Sequence, residues 1–232
     1  MRNWLMGMLL TVLPGLAQAD TAPAAPPLVV VELFTSQGCS SCPPADAVLR
    51  QLAARPGVLA LGFHVTYWNG LGWRDPFSFE AATQRQRQYQ NVFSTSSIYT
   101  PQLVVQGQAE MVGSDRATVE AALKAAMQTG GRGPSVVLAT SAEGFKVDIG
   151  PGSGAASVLL VGFDPLHTTP VGRGENAGRT LQEANVVRSL RRIGSWDGAR
   201  LSLAAPVPDG ERAAILLQAA DGRIIAAALP TS

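Results

Sequence analysis

The sequence predicts an α/β chain in which a βαβ…ββα segment is followed by a β-rich region. Three observations carry that expectation. Two apolar runs, residues 28–34 and 58–66, flank an amphipathic helical pattern that ends near residue 54. A second pair of short runs, 102–106 and 109–112, precedes a further helical pattern that Asp115 can cap. Beyond residue 134 the helical period gives way to short β-like runs separated by Gly-rich turns.

The N-terminus reads as a targeting segment. A basic start at Arg2, an apolar run from Leu5 to Leu13 and an Ala17-Gln18-Ala19 end describe a secretory signal peptide over residues 1–19. The run is too short to span a bilayer; the alternative is a retained anchor. Residues 20–27, rich in Ala and Pro, read as a flexible tether. The mature chain is therefore expected to be exported, periplasmic or secreted, and to begin near Asp20. Roughly 210 residues remain, enough for one large domain or two small ones. Hydrophobic residues make up 46% of the chain, which supports a sizeable core. A net charge of +1 with 15% charged residues points to neither nucleic acid nor an anionic membrane surface as a partner. No later stretch is long and apolar enough to be a membrane helix.

Each element has a local reason. Residues 28–34 are continuously apolar and β-branched apart from Glu32, as in a strand buried on both faces. Pro43 and Pro44 suit the first turn of a helix, where a missing N–H costs little. Ala45, Val48, Leu49, Leu52 and Ala53 then form one buried face. Arg55-Pro56-Gly57 stops that helix, and residues 58–66 make a strand that should run parallel to the first. Asp75-Pro76 can start a second helix, which should be largely solvated, given Gln84 to Gln88. Gly107-Gln108 turns one short strand into the next. Val119, Ala122, Leu123, Ala126 and Met127 face the core from a last helix, stopped by Gly130-Gly131. This first domain is expected to span 28–130.

The chemistry centres on Cys39-Ser40-Ser41-Cys42, the only two cysteines in 232 residues. They open the first helix, where unpaired backbone N–H groups and the positive end of the dipole stabilise a thiolate. In an oxidising compartment a single structural disulfide is the plain reading. A loop this short removes little chain entropy, which favours redox or metal chemistry instead. Cys39, at the helix mouth, is expected to be the exposed attacking thiol, and Cys42, one turn on, the more buried resolving thiol. The intervening serines bring no positive charge, which limits thiolate stabilisation.

The order β-α-β-α-β-β-α, with a dithiol at the first helix and Thr100-Pro101 before the third strand, resembles the thioredoxin fold. The combination of residues 32–46, 72–78 (Gly-Trp-Arg-Asp-Pro-Phe-Ser) and 99–105 (Tyr-Thr-Pro-Gln-Leu-Val-Val) is similar to the DUF1223 family, exported bacterial thioredoxin-like proteins without an assigned biochemical role. The superfamily resemblance implies a cis bond at Pro101 beside the dithiol; an ordinary trans Pro at a strand entrance is the alternative. It also implies a cycle in which Cys39 forms a mixed disulfide with substrate and Cys42 releases it. Glu32 could then be the buried acid that relays a proton to the resolving thiol, its pKa raised by burial. The alternative is a Glu at an exposed strand end or paired with an Arg.

Other candidates have structural readings beside the chemical ones. His64 could join Cys39 and Cys42 as a copper or zinc ligand, or be a hydrogen-bonded core histidine. Tyr67, Trp68 and Trp73 could wall a substrate groove, or fill the core beneath a long connection. In the second half, 134–232, the β-like runs read as an antiparallel sheet or sandwich. Its glycine loop 172–178 does not fit a dinucleotide fingerprint. Arg173, Arg179, Arg188, Arg191 and Arg192 could gather an anion or a partner, or form a solvated, salt-bridged face.

The functional expectation is a thiol–disulfide oxidoreductase acting on protein or small-thiol substrates, with a redox partner and no cofactor beyond the Cys39–Cys42 disulfide. The alternatives are a metal-binding module on the same dithiol and a non-catalytic interaction protein.

Overall fold

The computed structural model describes residues 28–129 and 133–231. The expected leader, the tether and the glycine stop at 130–131 lie outside the described residues.

The chain is mixed α/β. Its first half runs β1 (Val29–Thr35), α1 (Pro43–Ala53), β2 (Val58–His64), α2 (Glu80–Phe93), β3 (Gln102–Val105), β4 (Ala109–Val112) and α3 (Arg116–Thr129). The second half adds β5 (Val136–Ser141), β6 (Gly144–Ile149), β7 (Ala156–Pro170), β8 (Thr180–Trp196), β9 (Leu201–Ala205), β10 (Arg212–Gln218), β11 (Ile224–Ala228) and β12 (Pro230–Thr231). β1 and β2 are parallel, as a strand–helix–strand unit requires, and β3 and β4 run antiparallel to complete that side.

The halves are not separate sheets. Eight strands form one sheet in the order β11-β10-β7-β8-β2-β1-β3-β4, and β12-β5-β6-β9 form a second. Both sheets contribute to one core, which buries Leu138, Val147, Val158, Ile215 and Trp196. One of the two sheets continues that of the first half. The join is the parallel pair Gly62–Val186. There Asn185 takes a left-handed φ of 46° and its Nδ2 donates to the Ala60 carbonyl at 2.8 Å. A Cβ on Gly62 would lie 3.3 Å from the Ala184 carbonyl oxygen, so a residue without a side chain suits the approach. The sequence left open whether the second half packs onto the first; β7 and β8 prove long, reaching Pro170 and starting at Thr180.

Alternation along β1 assigns the helices to faces. Val29, Val31 and Leu33 pack with α1 and α3, while Val30 and Phe34 pack with Ala82 and Tyr89 of α2. α2 departs from expectation. It begins at Glu80, not at Asp75, and Arg85 and Gln86 are buried within it. A polar composition looked solvated; the partners that satisfy those polar groups lie on distant strands. Asp115 does cap α3, accepting the Thr118 N–H at 3.2 Å.

Candidate functional site

The dithiol lies where β1 gives way to α1. The loop folds back on itself, with Cys39 N–H donating to the Ser36 carbonyl at 3.1 Å and Cys42 N–H to the Cys39 carbonyl at 3.2 Å. Cys42 is the N-cap of α1, and Pro43-Pro44 follow. Cys39 and Cys42 are joined in a disulfide with Cα atoms 5.4 Å apart. Both are 0% exposed, so Cys39 is not the open thiol expected at a helix mouth; Ser40 and Ser41 between them are exposed.

The second half of the chain also meets this loop. The β7–β8 hairpin carries its tip, residues 171–179, over the loop. Asn176, fully buried, donates from Nδ2 to the carbonyls of Gln37 (3.0 Å) and Cys39 (2.9 Å). The carboxylate of Glu175 accepts the Ser40 N–H at 2.9 Å.

On another side stands the Thr100–Pro101 peptide, which is cis. Thr100 Oγ1 donates to Cys39 Sγ at 3.3 Å and accepts from Trp68 Nε1 at 2.9 Å. Ser41 Oγ lies 3.2 Å from the same sulfur. Trp73 Nε1 donates to Gln37 Oε1 at 3.0 Å. Trp68 and Trp73 are thus brought to the dithiol loop, half-buried, while Tyr67 is more exposed and bonds Gln86 at 3.2 Å.

Beneath the loop lies a buried polar cluster that sequence reasoning only touched. Gln37 donates its N–H to Asp75 Oδ2 (2.8 Å) and its Nε2 to Glu183 Oε2 (2.9 Å). His64 Nδ1 meets the same Asp75 oxygen at 2.7 Å. Thr35 Oγ1 donates to Asp46 Oδ1 at 2.8 Å. His64 Nε2 and Glu183 Oε1 have no partner. Burial opposes charge on His64, but the Asp75 carboxylate overrides it and pushes the imidazole up to about 9. Burial raises Asp46 to about 7 and also raises Glu183. Asp75 is buried too, yet His64 holds its carboxyl below the usual range.

Glu32 is elsewhere. Its parity with Val30 and Phe34 sends it to the α2 face, opposite the face on which α1 packs. There Arg85 clamps it, Nε to Oε1 at 2.5 Å and Nη2 to Oε2 at 3.0 Å, and the Tyr89 hydroxyl donates to it. Arg85 also reaches Gln218 at the end of β10 at 3.0 Å. The pairing of Glu32 with an Arg is thus the arrangement found, in place of an approach to Cys42. Among the described residues, no group of three or more His, Cys, Asp or Glu side chains is placed to hold a metal ion. His64 Nδ1 is taken by Asp75.

Residues 30–218 match the family described as protein of unknown function (DUF1223). The chain belongs to the DUF1223 family. The X-ray structure of a protein from Agrobacterium tumefaciens is 32% identical to this DUF1223 chain, with a TM-score of 0.78 over 89% of this chain and 95% of that one. HBP35 of Porphyromonas gingivalis shares the fold at 13% identity, with a TM-score of 0.60 over 87% of this chain and 74% of that one. Comparison with curated proteins finds no match.

Asp46, Asp75, Asn176 and Glu183 are the site residues that sequence reasoning passed over. Two of them had a signal. Asp46 closes the 32–46 motif within an otherwise apolar helix face, and Asp75 lies in the 72–78 motif two residues after Trp73. Asn176 and Glu183 had none, because their place depends on the course of a long hairpin.

Proposed function

We propose that this DUF1223 protein is an exported thiol–disulfide oxidoreductase with Cys39 as the attacking and Cys42 as the resolving sulfur. The observation that carries the reading is the disulfide at the mouth of α1 with Thr100 Oγ1 of a cis Thr-Pro 3.3 Å from Cys39 Sγ. Two hydroxyls, of Thr100 and Ser41, beside the Cys39 sulfur at the start of a helix favour its thiolate. The order β-α-β-α-β-β-α adds the support of the thioredoxin-like resemblance.

In the reducing direction the Cys39 thiolate attacks a substrate disulfide, and one substrate sulfur leaves as a thiolate and takes a proton. Cys42, losing its proton, attacks Cys39 Sγ; the mixed disulfide breaks and the second substrate thiol departs. The substrate gains two electrons and two protons, and the protein ends with the Cys39–Cys42 bond.

Cys39→Ala is expected to abolish thiol exchange in an insulin-reduction or refolding assay, and Cys42→Ala to trap mixed disulfides. Wild-type behaviour of both variants overturns the reading. The zero exposure of both cysteines favours a second one, a permanent disulfide in an interaction protein. It predicts that dithiothreitol leaves the bond intact unless the protein is unfolded.

A further inference from the structure

The disulfide is closed off by a segment that is itself weakly held. Within the tip of the β7–β8 hairpin, only Val171 and Asn176 are buried, and Gly174 is half-buried; the other residues from Gly172 to Arg179 are exposed. The tip keeps its own shape without the dithiol loop, through Val171 N–H to the Arg179 carbonyl (2.9 Å), Gly178 N–H to the Val171 carbonyl (2.8 Å) and Arg179 Nη1 to Asn176 Oδ1 (2.9 Å). Its ties to that loop are polar: two bonds from Asn176 and one to Glu175. A lateral contact is made where Gly174 rests on Trp73, and a Cβ there would meet Trp73 Cβ at 3.1 Å.

Such a segment belongs to the part of a structure that opens locally. Most of its residues are exposed, and hydrogen bonds of this kind exchange readily for bonds to water. Both cysteines of the loop it bonds are 0% exposed, so a protein thiol needs a movement of the surroundings to reach Cys39. The loop groups it occupies are the carbonyls of Gln37 and Cys39 and the N–H of Ser40, the backbone edge of the reactive turn.

Resting on the redox reading above, we infer that residues 171–179 form a latched cover over the disulfide, with Asn176 the latch and Glu175 its second tie, and that the cover detaches before a protein thiol reacts. The incoming thiolate then attacks Cys39 Sγ, the S–S bond breaks, and the electron pair leaves on Cys42 Sγ, which takes a proton. The second thiol of the reagent, losing its proton, closes a disulfide with the first, and Cys39 departs as a thiolate that takes that proton.

The test measures the rate at which reduced thioredoxin, used as a protein dithiol probe, reduces the Cys39–Cys42 bond in the wild type and in two variants. Asn176→Ala is expected to raise that rate roughly tenfold, the ratio that loss of about 1.4 kcal/mol of latch would give. Glu175→Ala, at an exposed position whose loss leaves the core untouched, raises it by a smaller factor. Unchanged rates in both folded variants overturn the cover. Amide hydrogen exchange on the wild-type protein gives a second readout independent of any variant. The Ser40 N–H is expected to exchange much faster than the Leu33 N–H of β1; exchange of both only with global unfolding also overturns it. Neither measurement depends on a physiological substrate. Failure of the Cys42→Ala trap with a mobile cover therefore counts against the redox reading alone.

Discussion

His64 and Asp75 meet through Nδ1 and Oδ2 at 2.7 Å, both side chains buried, with the Gln37 N–H on the same carboxylate oxygen. The pair fixes the loop that leads from β1 to the dithiol, because Gln37 stands two residues before Cys39.

That pair gives stability a pH dependence. The folded imidazole, at about 9, lies above its ordinary 6.5. The folded state holds the proton more tightly, so the contribution is fully present below about pH 6.5 and is lost as pH rises through 9. Urea midpoints are expected to fall between pH 6.5 and 9.5, and His64→Asn to remove most of that slope. An equal slope in the variant contradicts the assignment.

Asp46 contributes with the same sign for a different reason. Burial raises its carboxyl from 3.8 to about 7, so the neutral acid is the form that suits the fold. Its contribution is fully present below about pH 3.8, where both states are protonated, and is lost as pH rises to about 7. Asp46→Asn retains a carbonyl for the Thr35 hydroxyl and carries no charge. The variant is expected to gain on the wild type as pH rises from 4 to 8, read as the difference in melting temperature.

Arg85 and Glu32 are a buried pair joining α2 to β1, with Gln218 tying in β10. Arg85→Met leaves a carboxylate buried without its cation and is expected to cost about 3–5 kcal/mol in urea unfolding. Combining it with Glu32→Leu removes the stranded charge and recovers most of that loss. A double variant as unstable as the single one argues against the pair.

Gly113 sits against the α1 face of the sheet. A Cβ there would lie 2.7 Å from Leu33 Cδ1 and 3.1 Å from Ala45 Cβ, both in the core. Gly113→Ala is expected to destabilise by about 1–3 kcal/mol through overpacking. Leu33→Ala in the same chain relieves the clash, so thermal unfolding of the double variant shows a loss smaller than the sum of the two.

Period and punctuation made the first half legible. Pro43-Pro44 marked the start of α1, Asp115 the start of α3, and the two apolar runs the parallel strands. The dithiol position followed from the same pattern. Alternation also held the answer for Glu32: in a strand buried on both sides, an even position beside Val30 and Phe34 points to α2 and away from the helix that Cys42 caps. Arg85 was hidden because a composition rich in Gln and Arg reads as solvated until a distant carboxylate is known to wait for it. Asp75 resembled a helix cap, yet its carboxylate is taken by Gln37, His64 and Phe77. The bonds of Asn176 and Glu175 to the dithiol loop could not be read at all. They depend on a hairpin from residues 156–196 crossing to the other half of the molecule, a placement set by sheet pairing and not by any local signal.

The junction of β2 with β8 has a practical consequence for anyone shortening this protein. A fragment ending near residue 130 would keep the cysteines but strip the neighbour from β2, leaving Leu61, Phe63 and a row of free backbone groups at a bare margin of the sheet. Such a fragment is a template for self-association, so its clumping would report on the missing strand and not on the chemistry of the sulfurs.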